Sequence, residues 1–367
     1  MRPHLPRAVA RCATLALAAT AGLVTLAPAA QAETLVRECK ASNISCISYS
    51  GYAGKPVWGY PVGATGNNCV NYAAYRLSRN GVPTLSGMGS GGSWATSARA
   101  RGYRVDATAK VGSIAQWNYG SSYAPSQGHV GYVEEVNSSY IVISDSAWSG
   151  YSSRMRIPKG DRNWPSNFIH FKDQAYIPPP SGTFLKVRET SEVYRLVGRT
   201  PVFVSTWTAF GGTQATHLIS STSLGTLPQL ITDGTFIKGA QRGEVYRIAG
   251  GAPVYVSTWT AFGGAKPTVT VDQVAIDKAG SATRYNHLRF RPLDGTILAA
   301  SPTTSYFLVS AGVPAVTTTS TGATTVDQVA IQRAGDTTAL KWTHLAKGMT
   351  LRTGPIKVKV APPRPVG

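Results

Sequence analysis

The sequence predicts an α+β protein: a mixed N-terminal segment followed by a β-rich segment of three hairpin repeats. Three observations carry this. "CVNYAAYRLSRNG", starting at Cys69, spaces Val70, Ala73, Ala74 and Leu77 as one face of a helix, and alternating apolar and polar runs follow it. Three consecutive prolines, Pro178 to Pro180, then interrupt the chain. Beyond them a long pattern beginning "GTF" and ending "TWTAFGG" occurs twice, and a worn copy comes third.

Taken in order, residues 1–32 read as a secretory signal peptide. "MRPHLPRAVAR" holds three arginines and no acid, an alanine-rich apolar run follows, and Ala30-Gln31-Ala32 fits a small-x-small cleavage site. The run is too short to favour a membrane anchor, and no later stretch is long and apolar enough to span a bilayer. The expected mature protein is therefore exported, secreted or associated with a cell wall. Cys12 leaves with the leader, so Cys39, Cys46 and Cys69 remain, an odd number. Cys39 and Cys46 could close a small loop, but spacing alone also allows either to pair with Cys69.

The chain of 367 residues has a net charge of +19. Residues 33–175 carry +6 and residues 176–367 carry +10, so the charge is spread over both halves and is no tail. For an exported protein this favours an anionic surface such as a bacterial wall. Nucleic acid is not favoured: there is no compact Lys/Arg run and no nucleic-acid-binding motif.

In the mixed segment, Asn67 and Asn68 are good N-caps and Gly81 follows the helix end, which puts Cys69 at the helix N-terminus. The free N–H groups and dipole there favour a thiolate. "GATGNN" is flexible enough to let backbone amides approach a developing oxyanion, and Asn68 is the candidate donor. Among the histidines, His129 opens an alternating strand behind a glycine. His217, His287 and His344 fall in the repeats and read as structural, and His170 in "NFIHF" reads as packed. Taken alone, Cys69 reads as a small buried hydrophobe and His129 as an ordinary strand residue. There is no HExxH and no zinc-spaced cluster, so no metal and no cofactor is expected.

Together, "WGYPVGATGNNCVNYAAYRL", "VGSIAQW" and "GHVGYVEEV" resemble the CHAP domain, the cysteine- and histidine-dependent amidohydrolase/peptidase family of the papain-like superfamily. The likeness spans about residues 50–150. It implies helices packed on one side of an antiparallel sheet and a catalytic domain over 33–175. It also implies hydrolysis of peptidoglycan amide bonds, either as an N-acetylmuramoyl-L-alanine amidase or as an endopeptidase, with Cys69 as nucleophile and His129 as base. A catalytic Cys69 must stay free, which pairs Cys39 with Cys46. The family places a Glu and then an Asn after the histidine strand. Here Asp145 and Ala147 occupy those places, so Asp145 is the third candidate. Plain hairpin counting through Asn137–Tyr140 does not set Asp145 opposite His129; a bulge is needed. Glu134 and Glu135 read as solvated strand charges. A non-catalytic wall-binding protein with a degenerate CHAP domain is the alternative.

"YIPPPSG", residues 176–182, reads as a stiff linker. The repeats then run over 183–354, with copies starting near Gly182, Gly234 and Gly295, and 355–367 forms a tail. "EVYRIAGGAPVYVS" alternates on both sides of a turn, so each copy is expected to supply one hairpin. "TVDQVAI" recurs at 270 and 325. Trp207 and Trp259 occupy equivalent positions and read as repeated core packing ahead of a sugar-stacking platform. The expected partners are peptidoglycan and anionic wall polymers. Oligomeric state is not readable.

Overall fold

The computed structural model describes residues 34–348. The expected signal peptide and the tail at 355–367 lie outside the described residues. The N-terminal part is built on one antiparallel sheet of seven strands. They are β1 (Val36–Ala41), β2 (Arg104–Asp106), β3 (Ile114–Trp117), β4 (His129–Val136), β5 (Tyr140–Ala147), β6 (Tyr151–Pro158) and β7 (Asn167–His170). Their spatial order is β1-β6-β5-β4-β3-β7-β2.

Two helices, α1 (Cys69–Arg79) and α2 (Trp94–Arg99), cover one face of that sheet. Tyr72, Ala73 and Leu77 of α1 and Trp94 of α2 are buried in one cluster with Ile114, Val130 and Tyr132 of the sheet. The other face packs Trp117, Val133, Ile143 and Met155 beneath loop residues such as Tyr123 and Trp164. α1 starts where its caps dictate: Asn68 is extended, and its side chain accepts the Val70 N–H. Cys39 and Cys46 form the disulfide, with Cα atoms 5.7 Å apart, and Cys69 is free.

One irregularity organises the sheet. The β4–β5 register shifts between Val133 and Glu135, leaving Glu134 as an extra residue. Glu134 keeps the helix-side face of Tyr132, and Glu135, opposite Val142, takes that face as well. Neither glutamate is solvated, contrary to the sequence reading. Glu134 is buried and paired with Arg76 of α1, and it also accepts from Tyr49 and Ser144. Glu135 is fully buried between Arg154 and Arg188. Two carboxylates enter the core because each meets an arginine fork there.

The Glu135 cluster joins the N-terminal sheet to the C-terminal part. Arg188 bonds Glu38 and Glu135 as well as the Leu218 carbonyl, and Glu135 accepts the Ser220 N–H at 2.8 Å. Burial raises the Glu135 pKa, but Arg154 and Arg188 outweigh it and hold the carboxyl at about 2. Its contribution to stability is therefore present above the ordinary 4.5 and lost as pH falls toward about 2. Glu135→Gln takes from Arg154 and Arg188 one of the two carboxylates they share, leaving them Glu38 alone, and is expected to cost about 3–5 kcal/mol. Urea denaturation near pH 7 reads this directly, and a loss below about 1 kcal/mol would refute the assigned role.

The C-terminal part forms three four-stranded sheets. The first has β8 (Phe184–Val187), β9 (Val193–Val197), β10 (Thr200–Val204) and β11 (Thr216–Ile219). The second has β12 (Phe236–Gly239), β13 (Val245–Ala249), β14 (Ala252–Val256) and β15 (Val269–Val271). The third has β16 (Ile297–Ser301), β17 (Tyr306–Ser310), β18 (Val313–Thr317) and β19 (Thr324–Asp327). Each is an antiparallel meander whose first strand also pairs in parallel with the fourth, as in β8 with β11. A copy thus contributes a sheet, where the sequence reading gave it one hairpin.

Adjacent sheets share cores: Val197 and Val202 of the first pack with Ile237 and Tyr246 of the second and with Ile276 of the short helix Gln273–Asp277 that follows it. The aspartate of "TVDQVAI" ties the copies together. Asp272 caps its own short helix through the Val274 N–H and also accepts the N–H and hydroxyl of Ser205 in the preceding copy. Asp327 does the same with Val329 and Ser257.

Candidate active site

Cys69 is the first residue of α1, and the loop before it is held by β5. Ser146 Oγ accepts the Asn68 N–H at 3.1 Å and donates to Asn67 Oδ1 at 2.8 Å. Asn68 was expected as an oxyanion donor. Its amide N–H is taken by Ser146, its Oδ1 by the cap, and its Nδ2 donates to the Pro61 carbonyl at 2.8 Å. Asn68 thus fixes the approach of the chain to Cys69.

His129 opens β4 and is buried. Its Nε2 lies 2.8 Å from Asp145 Oδ2. The bulge at Glu134 makes this contact. Without it, counting from Val136↔Ile141 would set Asp145 opposite Tyr132, on the wrong face. With it, Tyr132 pairs with Ser144, so Asp145 falls beside Gly131 on the face of His129. Gly131 leaves room for the carboxylate to lean toward the imidazole, since a Cβ there would sit 3.4 Å from the Asp145 Cβ. Gly128, at φ +62°, packs on the Gly92 backbone, where a Cβ would come within 2.3 Å of Gly92 Cα. Glycine is required at that position.

Sequence reasoning missed several supporting residues. Tyr123 donates its hydroxyl to Asp145 Oδ2 at 2.9 Å, and its ring lies 5.5 Å from His129. Ser153 donates to Asp145 Oδ1 in a short hydrogen bond. Fully buried Gln116 donates to the carbonyls of Gly91, Gly92 and Trp117, holding the glycine loop that packs on the His129 backbone. Tyr123 sits in an aperiodic loop, and Gln116 and Ser153 look like ordinary strand positions, so no pattern marked them.

Cys69 lies close enough to His129 to influence it electrostatically. With Nε2 engaged by Asp145, Nδ1 is the nitrogen left for the thiol. Burial by itself would lower the His129 pKa. Attraction to Cys69 and Asp145 and the hydrogen bond to Asp145 outweigh it and push the imidazole up to about 10. The other histidines stand elsewhere. His170 lies between Asp106 and Asp173, His217 meets Tyr49 edge-on, and the His287 and His344 Nδ1 atoms meet the carbonyls of Gln229 and Phe290. Among the described residues, no group of three or more His, Cys, Asp or Glu is placed to hold a metal ion, and no helix is long and apolar enough to cross a membrane.

The segment thus holds a free thiol at a helix N-terminus and a buried histidine that is itself held by a carboxylate. The chain carries a CHAP domain: residues 56–147 match that family's model. It is 35% identical over 101 residues to the probable autolysin LDP of Staphylococcus aureus (strain NCTC 8325 / PS 47). That alignment covers 26% of this chain and 34% of the relative, so the chain spans about a third of the length of the curated protein it matches. A crystal structure of an N-acetylmuramoyl-L-alanine amidase from Staphylococcus aureus aligns over 29% of this chain and 30% of that one, at 28% identity and a TM-score of 0.26.

Proposed function

We propose that this protein is an exported hydrolase of peptidoglycan amide bonds, with Cys69 as nucleophile, His129 as proton carrier and Asp145 as the group that orients His129. The observation that carries the reading is the Cys69–His129–Asp145 line, set inside a segment matching the CHAP family. The Cys69 thiolate attacks the amide carbonyl, and the His129 proton passes to the departing amine. A thioester is left on Cys69. Water, losing a proton to His129, then displaces the thiolate and releases the carboxylic acid.

Two exposed aromatics beside the site suit an extended wall polymer. Trp148, 60% exposed, directly follows β5, and its carbonyl faces Gly63 in the nucleophile loop. Tyr119, 52% exposed, bonds Ser90 and packs on Gly92. Export is supported by the leader-like residues 1–32. Anchoring by the C-terminal sheets is supported by the net +10 of residues 176–367.

The test is to incubate purified peptidoglycan with the protein under reducing conditions and identify the products by mass. New amino termini on intact stem peptides, freed from glycan, would assign an amidase. Cleaved stem or cross-bridge peptides would assign an endopeptidase. Folded protein releasing nothing from several wall types would refute the proposal.

A further inference from the structure

The three C-terminal copies differ at one constellation. In the first, Phe184 pairs across the strands with Arg195, whose guanidinium lies 4.1 Å from the ring centroid. Trp207 and Phe210, on the single helical turn after β10, approach Phe184 at 5.1 and 4.9 Å. The second copy repeats this: Phe236 pairs with Arg247 at 4.8 Å, and Trp259 and Phe262 lie at 5.3 and 5.1 Å. In the third, the same register pairs Ile297 with Leu308, and Ser320 and Ala323 stand where Trp and Phe would be. All four residues change together.

Packing does not require an arginine at this place, since the third sheet forms with leucine there. Among the described residues, Arg195 and Arg247 have neither a hydrogen bond nor an ion pair, and the Nε of each is buried without a partner. Burial lowers both pKa values below the ordinary guanidinium range. Nearby Arg242, by contrast, is matched by Glu244 and Asp277. A half-buried guanidinium with no acceptor is costly unless something supplies one. Trp207 and Trp259 meet the same phenylalanine rings as the arginines and are only partly buried.

We propose that the first two copies each hold a binding site for an anionic glycan: a sugar ring stacks on Trp207 or Trp259, and its carboxylate or phosphate accepts hydrogen bonds from Arg195 or Arg247. This rests on the reading of the C-terminal sheets as a wall anchor. A neutral sugar would leave the arginine unmatched, and a small inorganic anion would leave the indole uncovered. The third copy has lost the site.

The test is cosedimentation of the full chain with purified sacculi at low temperature and low salt, before and after acid removal of phosphate-bearing wall polymers. Arg195→Leu/Arg247→Leu and Trp207→Ser/Trp259→Ser install residues the third copy already uses, so the sheets are expected to fold. Lys159→Gln/Arg162→Gln removes the same charge from exposed residues of the N-terminal part. Both site variants are expected to weaken binding at least about ten-fold, with the control unchanged. Binding that survives acid treatment assigns the carboxylates of peptidoglycan, and binding lost with it assigns the phosphate polymer. If the unaltered chain does not sediment, the anchoring reading itself falls and takes this one with it. If it sediments but the site variants bind equally, or the control drops as far as they do, anchoring stands and these sites do not.

Discussion

Cys69→Ala is expected to bring amide hydrolysis of peptidoglycan to background, at least roughly a thousandfold below the unaltered protein. The fold should hardly notice. Cys69 is only partly buried at the edge of the core cluster, and α1 is capped by Asn68 rather than by the thiol. The stability change should stay within about 1 kcal/mol. Cys69→Ser should be nearly as inactive. A hydroxyl fills the same space, but it ionises far less readily than a thiol and gives His129 no anion to pair with. The measurement pairs an amino-group release assay with thermal unfolding of each variant. Hydrolysis by Cys69→Ala at the unaltered rate would overturn the nucleophile assignment. Loss of activity together with loss of the folded state would leave the Cys69→Ser result to decide.

The sequence exposed the two ends of this site but not the bond between them. Cys69 was legible because a cap pair and helical spacing surround it, and both signals are local. His129 was legible because it opens an alternating strand behind a glycine whose positive φ the structure needs. The Asp145 contact depends on one extra residue, Glu134, and a bulge leaves no mark on apolar alternation when the bulged residue and its neighbour are both charged. The same residue hid the burial of the two glutamates. Their partners Arg76, Arg154 and Arg188 lie 19 to 58 positions away, so the pairs exist only once the sheet is assembled. The repeats were plain from self-similarity. The parallel strand that completes each sheet was not, since β11 reaches β8 over some thirty residues with no turn signal linking them.

Asp145→Asn is expected to slow hydrolysis near neutral pH by roughly ten- to a hundredfold and to move the alkaline limit of activity downward. The carboxylate accepts three hydrogen bonds, from His129, Tyr123 and Ser153. An asparagine amide has one oxygen. That oxygen can still serve His129 and Tyr123 while the NH2 group turns to Ser153, whose hydroxyl is able to accept. Orientation is thus largely kept and the charge is lost, so the effect should be milder than that of losing Cys69. On the proposed mechanism the active form needs a protonated His129, and it disappears as pH rises through the His129 pKa, about 10 in the folded protein. By the same sign, the stabilisation from His129 is complete below the ordinary 6.5 and lost as pH climbs toward about 10. Two of the influences that raise the His129 pKa, its hydrogen bond to Asp145 and the attraction of that charge, depend on the carboxylate. Removing them leaves burial, which lowers it, opposed by Cys69 alone. The pH–rate profile of Asp145→Asn on a soluble peptidoglycan fragment should therefore fall at least about one pH unit earlier on the alkaline side. An unchanged alkaline limb would show that His129 draws its protonation from elsewhere and would move the orienting role off Asp145.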